Sequence, residues 1–272
     1  MITTRLILAG ALAASALGFA AAPAHAADDA TVSVLHGVPG ATVDVYANGS
    51  ALLTDFKPGT LTDPVKLPAG EYDLKVTAAG AGADGDAVIE ANDVNVPGGA
   101  NITVVAHLDA AGKPTLTPFV NDVSTMDAGM GRLTVRHVAA APEVDVRANG
   151  KVAFASLANP KEVKADLAAG TISADVVLAG TDTVAIGPAD VTLKEGTNTI
   201  VYAWGSAADA NLALAVQTIS GLHSSPTGVP AGSGGQADDA ALAAQMGAAL
   251  LTAMAAGAGV LAVTRRKATE RA

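Results

Sequence analysis

Two histidines and two aspartates recur at matched positions, and their types are those that do chemistry. His36 and Asp44 stand in Val32–Gly49 (VSVLHGVPGATVDVYANG); His137 and Asp145 stand at the same places in Leu133–Gly150 (LTVRHVAAAPEVDVRANG), 101 residues on. Imidazole and carboxylate at fixed spacing are the raw material of a metal site or of general acid/base catalysis. A zinc site takes three or four ligands, whereas each copy supplies one histidine with no second ligand near it in sequence. A catalytic carboxylate needs a proton-exchanging partner in a perturbing environment, and none stands beside Asp44 or Asp145. Strand parity gives both pairs a structural reading. Val32, Val34 and His36 share one face, as do Leu133, Val135 and His137, so each imidazole falls on a core-side position at a strand end. There it bonds a neighbouring backbone carbonyl or an Asp. Asp44 and Asp145 alternate with inward-facing valines and therefore point outward, beside Tyr46 and Arg147. Either Asp145 pairs with Arg147, or each Asp ties back the Asn-Gly turn that follows it.

The other chemical motifs are weaker. Asp84-Gly85-Asp86 opens like a calcium loop, but Val88 and Ile89 stand where a ligand and the turn glycine belong, which leaves low-affinity extracellular calcium as the only metal reading. Four histidines (His36, His107, His137 and His223) follow residue 26, and no Gly-x-Ser-x-Gly elbow accompanies them. Asn48-Gly49-Ser50 and Asn101-Ile102-Thr103 have the form of glycosylation sequons but read as turn and strand residues. Trp204 and Tyr202 share a face of an apolar run with Ile200. They are expected in the core, with an exposed sugar-stacking platform as the alternative. No enzyme activity, cofactor or metal is expected.

These residues must be positioned by a unit written twice. Eight of the 18 aligned pairs are identical, including Asn48-Gly49 with Asn149-Gly150. Leu67-Pro68-Ala69-Gly70 then matches Leu167-Ala168-Ala169-Gly170, and Gly99 and Asn101 match Gly196 and Asn198, at offsets that shrink as loops shorten. A period near 100 residues is too long for a solenoid unit and suits a sandwich domain. Thr31–His36, Thr42–Ala47, Tyr72–Ala78, Val94–Val96 and Ile102–His107 alternate as strands. The Asn-Gly pairs predict type I′ hairpins, whose central residues need positive φ. No stretch between the two termini shows an apolar 3.6-residue period. The expected fold is all-β: two tandem sandwiches of about seven strands each, the count typical of that architecture, at 27–122 and 131–221. A hinge at 123–130 joins them, where Asp122 and Asp127 read as solvating residues.

The repeated His-x-x-(Pro/Ala)-x-x-x-Val-Asp-Val-x-Ala-Asn-Gly, followed by Leu-x-Ala-Gly, resembles a bacterial family known as domain of unknown function 4397, in two tandem copies over roughly 31–122 and 131–221. The resemblance implies export, often from Ala-rich high-GC Gram-positive bacteria, and immunoglobulin-like or transthyretin-like sandwiches; it implies no activity. Repeat 2 departs from the pattern at Ala139–Ala141, where repeat 1 has Val38-Pro39-Gly40.

Composition and termini set the compartment. The 272 residues contain no Cys, which excludes disulfides, thiolate catalysis and iron–sulfur chemistry. A net charge of −10 lacks the basic footprint of a nucleic-acid binder. Arg5, the apolar run Leu6–Ala22 and Ala24-His25-Ala26 read as a signal peptide (1–26) cleaved between Ala26 and Ala27. Residues 222–239 begin with a Pro/Gly/Ser-rich stalk (LHSSPTGVPAGSGGQ). Residues 240–264 carry no charge and are long enough for a transmembrane helix, and the basic tail 265–272 marks the cytoplasmic end. Thr227-Gly228 resembles a degenerate cell-wall sorting site. Between residues 27 and 239 lie 11 basic and 25 acidic residues, a net charge of −14. The expectation is a non-enzymatic, single-pass cell-surface module that binds an unknown extracellular protein or glycan, contacts the bilayer through its C-terminal helix and touches no nucleic acid. The alternative is a wall-linked adhesin or a carbohydrate-recognition or hydrolase-associated protein using aromatics near Trp204.

Overall fold

Alternating valines bounded by Gly, Pro and Asn leave the chain little option but short strands. In the computed structural model, which describes residues 28–224, these strands are all of the regular structure and no helix is present. Among the described residues there is accordingly no helix long and apolar enough to cross a membrane. The expected signal peptide with its Ala26/Ala27 cleavage point, Thr227-Gly228, the span 240–264 and the tail 265–272 lie outside the described residues, as does the stalk beyond Ser224.

The first repeat contains β1 (Ala30–His36), β2 (Val43–Ala47), β3 (Ser50–Phe56), β4 (Val65–Leu67), β5 (Gly70–Ala78), β6 (Ala87–Val96), β7 (Asn101–Leu108) and β8 (Pro114–Val120). The second contains β9 (Met130–Ala140), β10 (Val144–Ala148), β11 (Lys151–Leu157), β12 (Lys161–Ala168), β13 (Gly170–Leu178), β14 (Val184–Leu193), β15 (Asn198–Ser206) and β16 (Ala213–Ile219). Each repeat thus has eight strands, not about seven. Those not read from the sequence in the first repeat, β3, β4 and β8, all lie at sheet edges.

The repeats share one topology. Sheet orders are β4-β1-β7-β8 and β3-β2-β5-β6 in the first, β12-β9-β15-β16 and β11-β10-β13-β14 in the second. In both, the first strand pairs in parallel with the seventh (β1 with β7, β9 with β15), and the remaining pairings are antiparallel. β12 pairs with β9 over eight residues, whereas β4 pairs with β1 over three. Pro64 has no N–H to give the ladder, and Thr62 accepts the Val34 N–H on its side-chain oxygen at 2.9 Å instead.

The cores depart from the expectation of two closed, independent sandwiches. Val34, Val45, Val76 and Val104 lie between the two sheets of repeat 1, and Leu133, Val135, Val146 and Val201 between those of repeat 2. A further cluster belongs to both repeats: Leu35, Val105 and Phe119 from the β1-β7-β8 face pack on Val138, Ile200, Tyr202 and Ala215 from the β9-β15-β16 face. The β4-β1-β7-β8 and β12-β9-β15-β16 sheets are therefore covered on both faces, which is why β1, β7, β9 and β15 are buried almost without interruption. The segment 123–130 is no free hinge. Met126 is buried, its N–H donates to Leu222 O at 2.8 Å, and its carbonyl accepts the Ser224 N–H at 3.0 Å.

Candidate functional site

The repeated histidines sit where parity puts them, at the ends of β1 and within β9, each 1% exposed. His36 Nε2 donates to Ala41 O at 2.9 Å and His137 Nε2 to Pro142 O at 3.0 Å, each closing the loop that follows its strand. That fixes the neutral tautomer with Nδ1 unprotonated, facing the N–H of Val38 and of Ala139. Burial pushes both imidazoles below the ordinary histidine range. His107 is equally buried and is held between Leu108 O and the Thr117 hydroxyl, at 2.9 and 2.8 Å; burial lowers it too.

The repeated aspartates are not solvent-facing. Asp44 and Asp145 are 5% and 7% exposed, because a bulge and a turn fold over the outer sheet face on which they stand. Asp44 accepts the N–H groups of Asp55 and Gly80 at 2.9 and 2.8 Å. Asp145 accepts those of Ser156 and Gly180 at 2.8 and 2.9 Å. Asp55 and Ser156 have φ of 51° and 53° at bulges in β3 and β11, a conformation that costs a non-glycine residue energy. Each carboxylate is thus a staple across a strained bulge and the neighbouring turn, and neither expected alternative holds. Arg147 pairs with Asp175 and Asp182 rather than with Asp145. The Asn-Gly turns are tied by their own asparagines: Asn48 Oδ1 accepts from Asp73 N and Asn149 Oδ1 from Ser173 N, with positive φ at Asn48, Gly49, Asn149 and Gly150.

What parity missed is the polar seam between the repeats. Arg136 replaces Leu35 of the first copy and is 1% exposed. Its Nε donates to Glu162 at 2.8 Å, a terminal nitrogen donates to the Tyr202 hydroxyl at 2.7 Å, and its guanidinium carbon lies 4.4 Å from the centre of the Phe119 ring. The Tyr202 hydroxyl donates onward to Gln217 Oε1 at 2.5 Å, which also accepts from Thr103 Oγ1 of the first repeat at 2.9 Å. At the end of the seam, Asp122 is no mere solvating residue. It bridges Arg132 at 2.8 Å and Lys164 at 2.6 Å, while Arg132 also grips Asp166 through two nitrogens. The Lys164 and Ser124 hydrogen bonds hold the Asp122 carboxyl well below the usual range.

Trp204 is partly buried in the same seam, its ring over Gly59 and its Cβ beside Gly37. Tyr202 is buried beside it, and the Phe, Tyr and Trp side chains among the described residues are all at least partly buried. Asp84 and Asp86 are exposed, and no group of three or more His, Asp or Glu among the described residues is placed to hold a metal ion.

Among the described residues, an open cavity lies at the rim of the seam. It has a volume of about 400 Å³, bounded on one side by Ser33, Asn101 and Leu61–Pro64, and on the other by Val216–Ser220 along the free edge of β16.

The family described as "Domain of unknown function (DUF4397)" matches residues 30–147, which span all of the first repeat and run through β9 into β10. The chain is similar to that family over less than half its length. Among curated proteins no sequence matches it.

Proposed function

We propose that this chain is a non-enzymatic cell-surface module: a rigid pair of β-sandwich repeats exported by a bacterium and held at the membrane by the C-terminal span, with its ligand on the outside. Each repeat is read as transthyretin-like rather than immunoglobulin-like, because four strands face four and the constant-type immunoglobulin count is seven. The observation that carries the reading is how the duplicated polar residues are used. His36, His137, Asp44 and Asp145 all bond backbone groups of neighbouring loops and turns, leaving no acid/base pair directed into a cavity. The seam, with an arginine, a tyrosine and a glutamine buried in mutual hydrogen bonds, supports a unit that projects as one body. A net charge of −14 between residues 27 and 239 is repelled by anionic lipid and like-charged wall polymers, which suits a module that projects from them.

The test is protease treatment of intact cells followed by mass spectrometry. The expected result is release of a fragment ending in the 225–239 stalk, with 28–224 uncut. Recovery of the whole chain from the cytosol refutes the reading. A native C-terminus at Thr227 replaces membrane retention with attachment to the wall.

A further inference from the structure

Eight strands lie at sheet edges among the described residues, and seven of them are blunted against strand addition. β4 has three residues and carries Lys66; β8 holds Pro114 and Pro118; β12 carries Lys161, Glu162, Lys164 and Asp166. β3, β6, β11 and β14 are all broken by register shifts, with positive φ at Asp55, Asp93, Ser156 and Gly187. Such devices are how proteins keep edges from recruiting other chains. β16 has none of them. Its sequence, ALAVQTI, has no charge and no proline, and its seven residues pair with β15 in unbroken register. Its other edge borders the 400 Å³ cavity under Leu61–Pro64.

We propose that the β16 edge is a strand-addition site for an extended, basic peptide of a partner protein, seated in the slot between β16 and the Leu61–Pro64 segment. This inference names the site of the binding module proposed above and rests on that reading. Main-chain groups of β16 supply the attachment, and alternate side chains of the peptide face Leu61 and Ser33 above. Asp63 is the one charged residue lining the slot, and the described residues carry 11 basic against 23 acidic side chains, so the peptide that fits is basic. Charge selects a basic strand over a second copy of the chain, which would bring another Asp63 and a like net charge to the same edge.

The experiment uses the full chain and a fluorescent heptapeptide of alternating Thr and Val with a lysine at each end. Companion probes carry glutamates at the ends or N-methyl groups on alternate amides. Anisotropy should show binding of the lysine peptide, at least tenfold weaker binding of the N-methylated one, and added amide protection at 213–219 by hydrogen exchange. Val216→Lys, at a side chain 55% exposed, should weaken binding at least tenfold with the circular dichroism unchanged. Asp63→Lys should shift the preference toward the glutamate peptide by about two- to fivefold, the scale of one exposed ion pair. The proposal is overturned if millimolar lysine peptide leaves 213–219 unprotected, if the N-methylated probe binds equally, or if 213–219 becomes protected with rising protein concentration alone, which marks a second copy as the occupant. Any of these leaves the surface-module reading standing as long as the chain is found outside the cell.

Discussion

Replacing Arg136 with alanine tests the seam at its most buried charge. The guanidinium is 1% exposed, donates to Glu162 and Tyr202, and lies over Phe119. A hydrogen bond to a charged group contributes about 1.5–3 kcal/mol, and a desolvated cation–π contact about 2 kcal/mol. Two features moderate the loss. Tyr202 keeps Gln217 as an acceptor, and Glu162, a third exposed, can turn to water. The net cost expected for Arg136→Ala is therefore about 3–5 kcal/mol, the range for breaking a buried ion pair. With a urea dependence of about 2 kcal/mol per molar, the unfolding midpoint falls by about 2 M. Arg136→Leu grafts the first repeat's own residue, Leu35, into the position and leaves no buried charge. It should cost less than half as much, because apolar replacements of buried ion pairs are frequently near neutral. The assay is urea unfolding followed by far-ultraviolet circular dichroism. A loss below about 1 kcal/mol for Arg136→Ala refutes the account, since an arginine on an independent repeat's solvated face has no more than that to lose.

Asp44→Ala leaves the Asp55 and Gly80 N–H groups without an acceptor and should cost about 2–6 kcal/mol in urea unfolding, at about 1–3 kcal/mol per orphaned donor. His36, His107 and His137 are held neutral by burial, so the unfolded chain binds more protons than the folded one below its histidine pKa near 6.5. Stability should be at its full value above that pH and fall as pH drops from 6.5 toward 5, with slope up to about 1.4 kcal/mol per pH unit per histidine; His107→Gln should flatten the profile. Gly59→Ala places a methyl group 2.9 Å from the Trp204 ring at a φ of 76°, so a change in the first repeat should shift the emission of a tryptophan in the second.

Period-2 alternation made β1, β2, β5 and β7 legible, and duplication carried them to the second repeat. β3 and β8 escaped it because exposed edge strands need no apolar stripe: β3 is SALLTDF and β8 is interrupted by prolines. Most of β6 was hidden by its polar middle, Glu90–Asp93. Parity put Asp44 and Asp145 on the correct face. It could not show that a bulge and a turn, each from a distant stretch of chain, close over that face. The shared seam was missed because Arg136 in a strand reads as solvated. The available signal was the near-unbroken apolar runs of β7 (NITVVAHL) and β15 (NTIVYAWGS), which mark strands covered on both faces.

The most direct test of the two repeats as one body is a single urea titration followed at once by Trp204 fluorescence and far-ultraviolet circular dichroism. Trp204 is the chain's one tryptophan and sits in the seam, while the dichroism reports the sixteen strands of residues 28–224 together. A blue-shifted native emission and superimposable transitions are predicted. Emission already at the wavelength of solvated tryptophan in the native state, or loss of the fluorescence signal well before the dichroism, contradicts the packing of the two repeats.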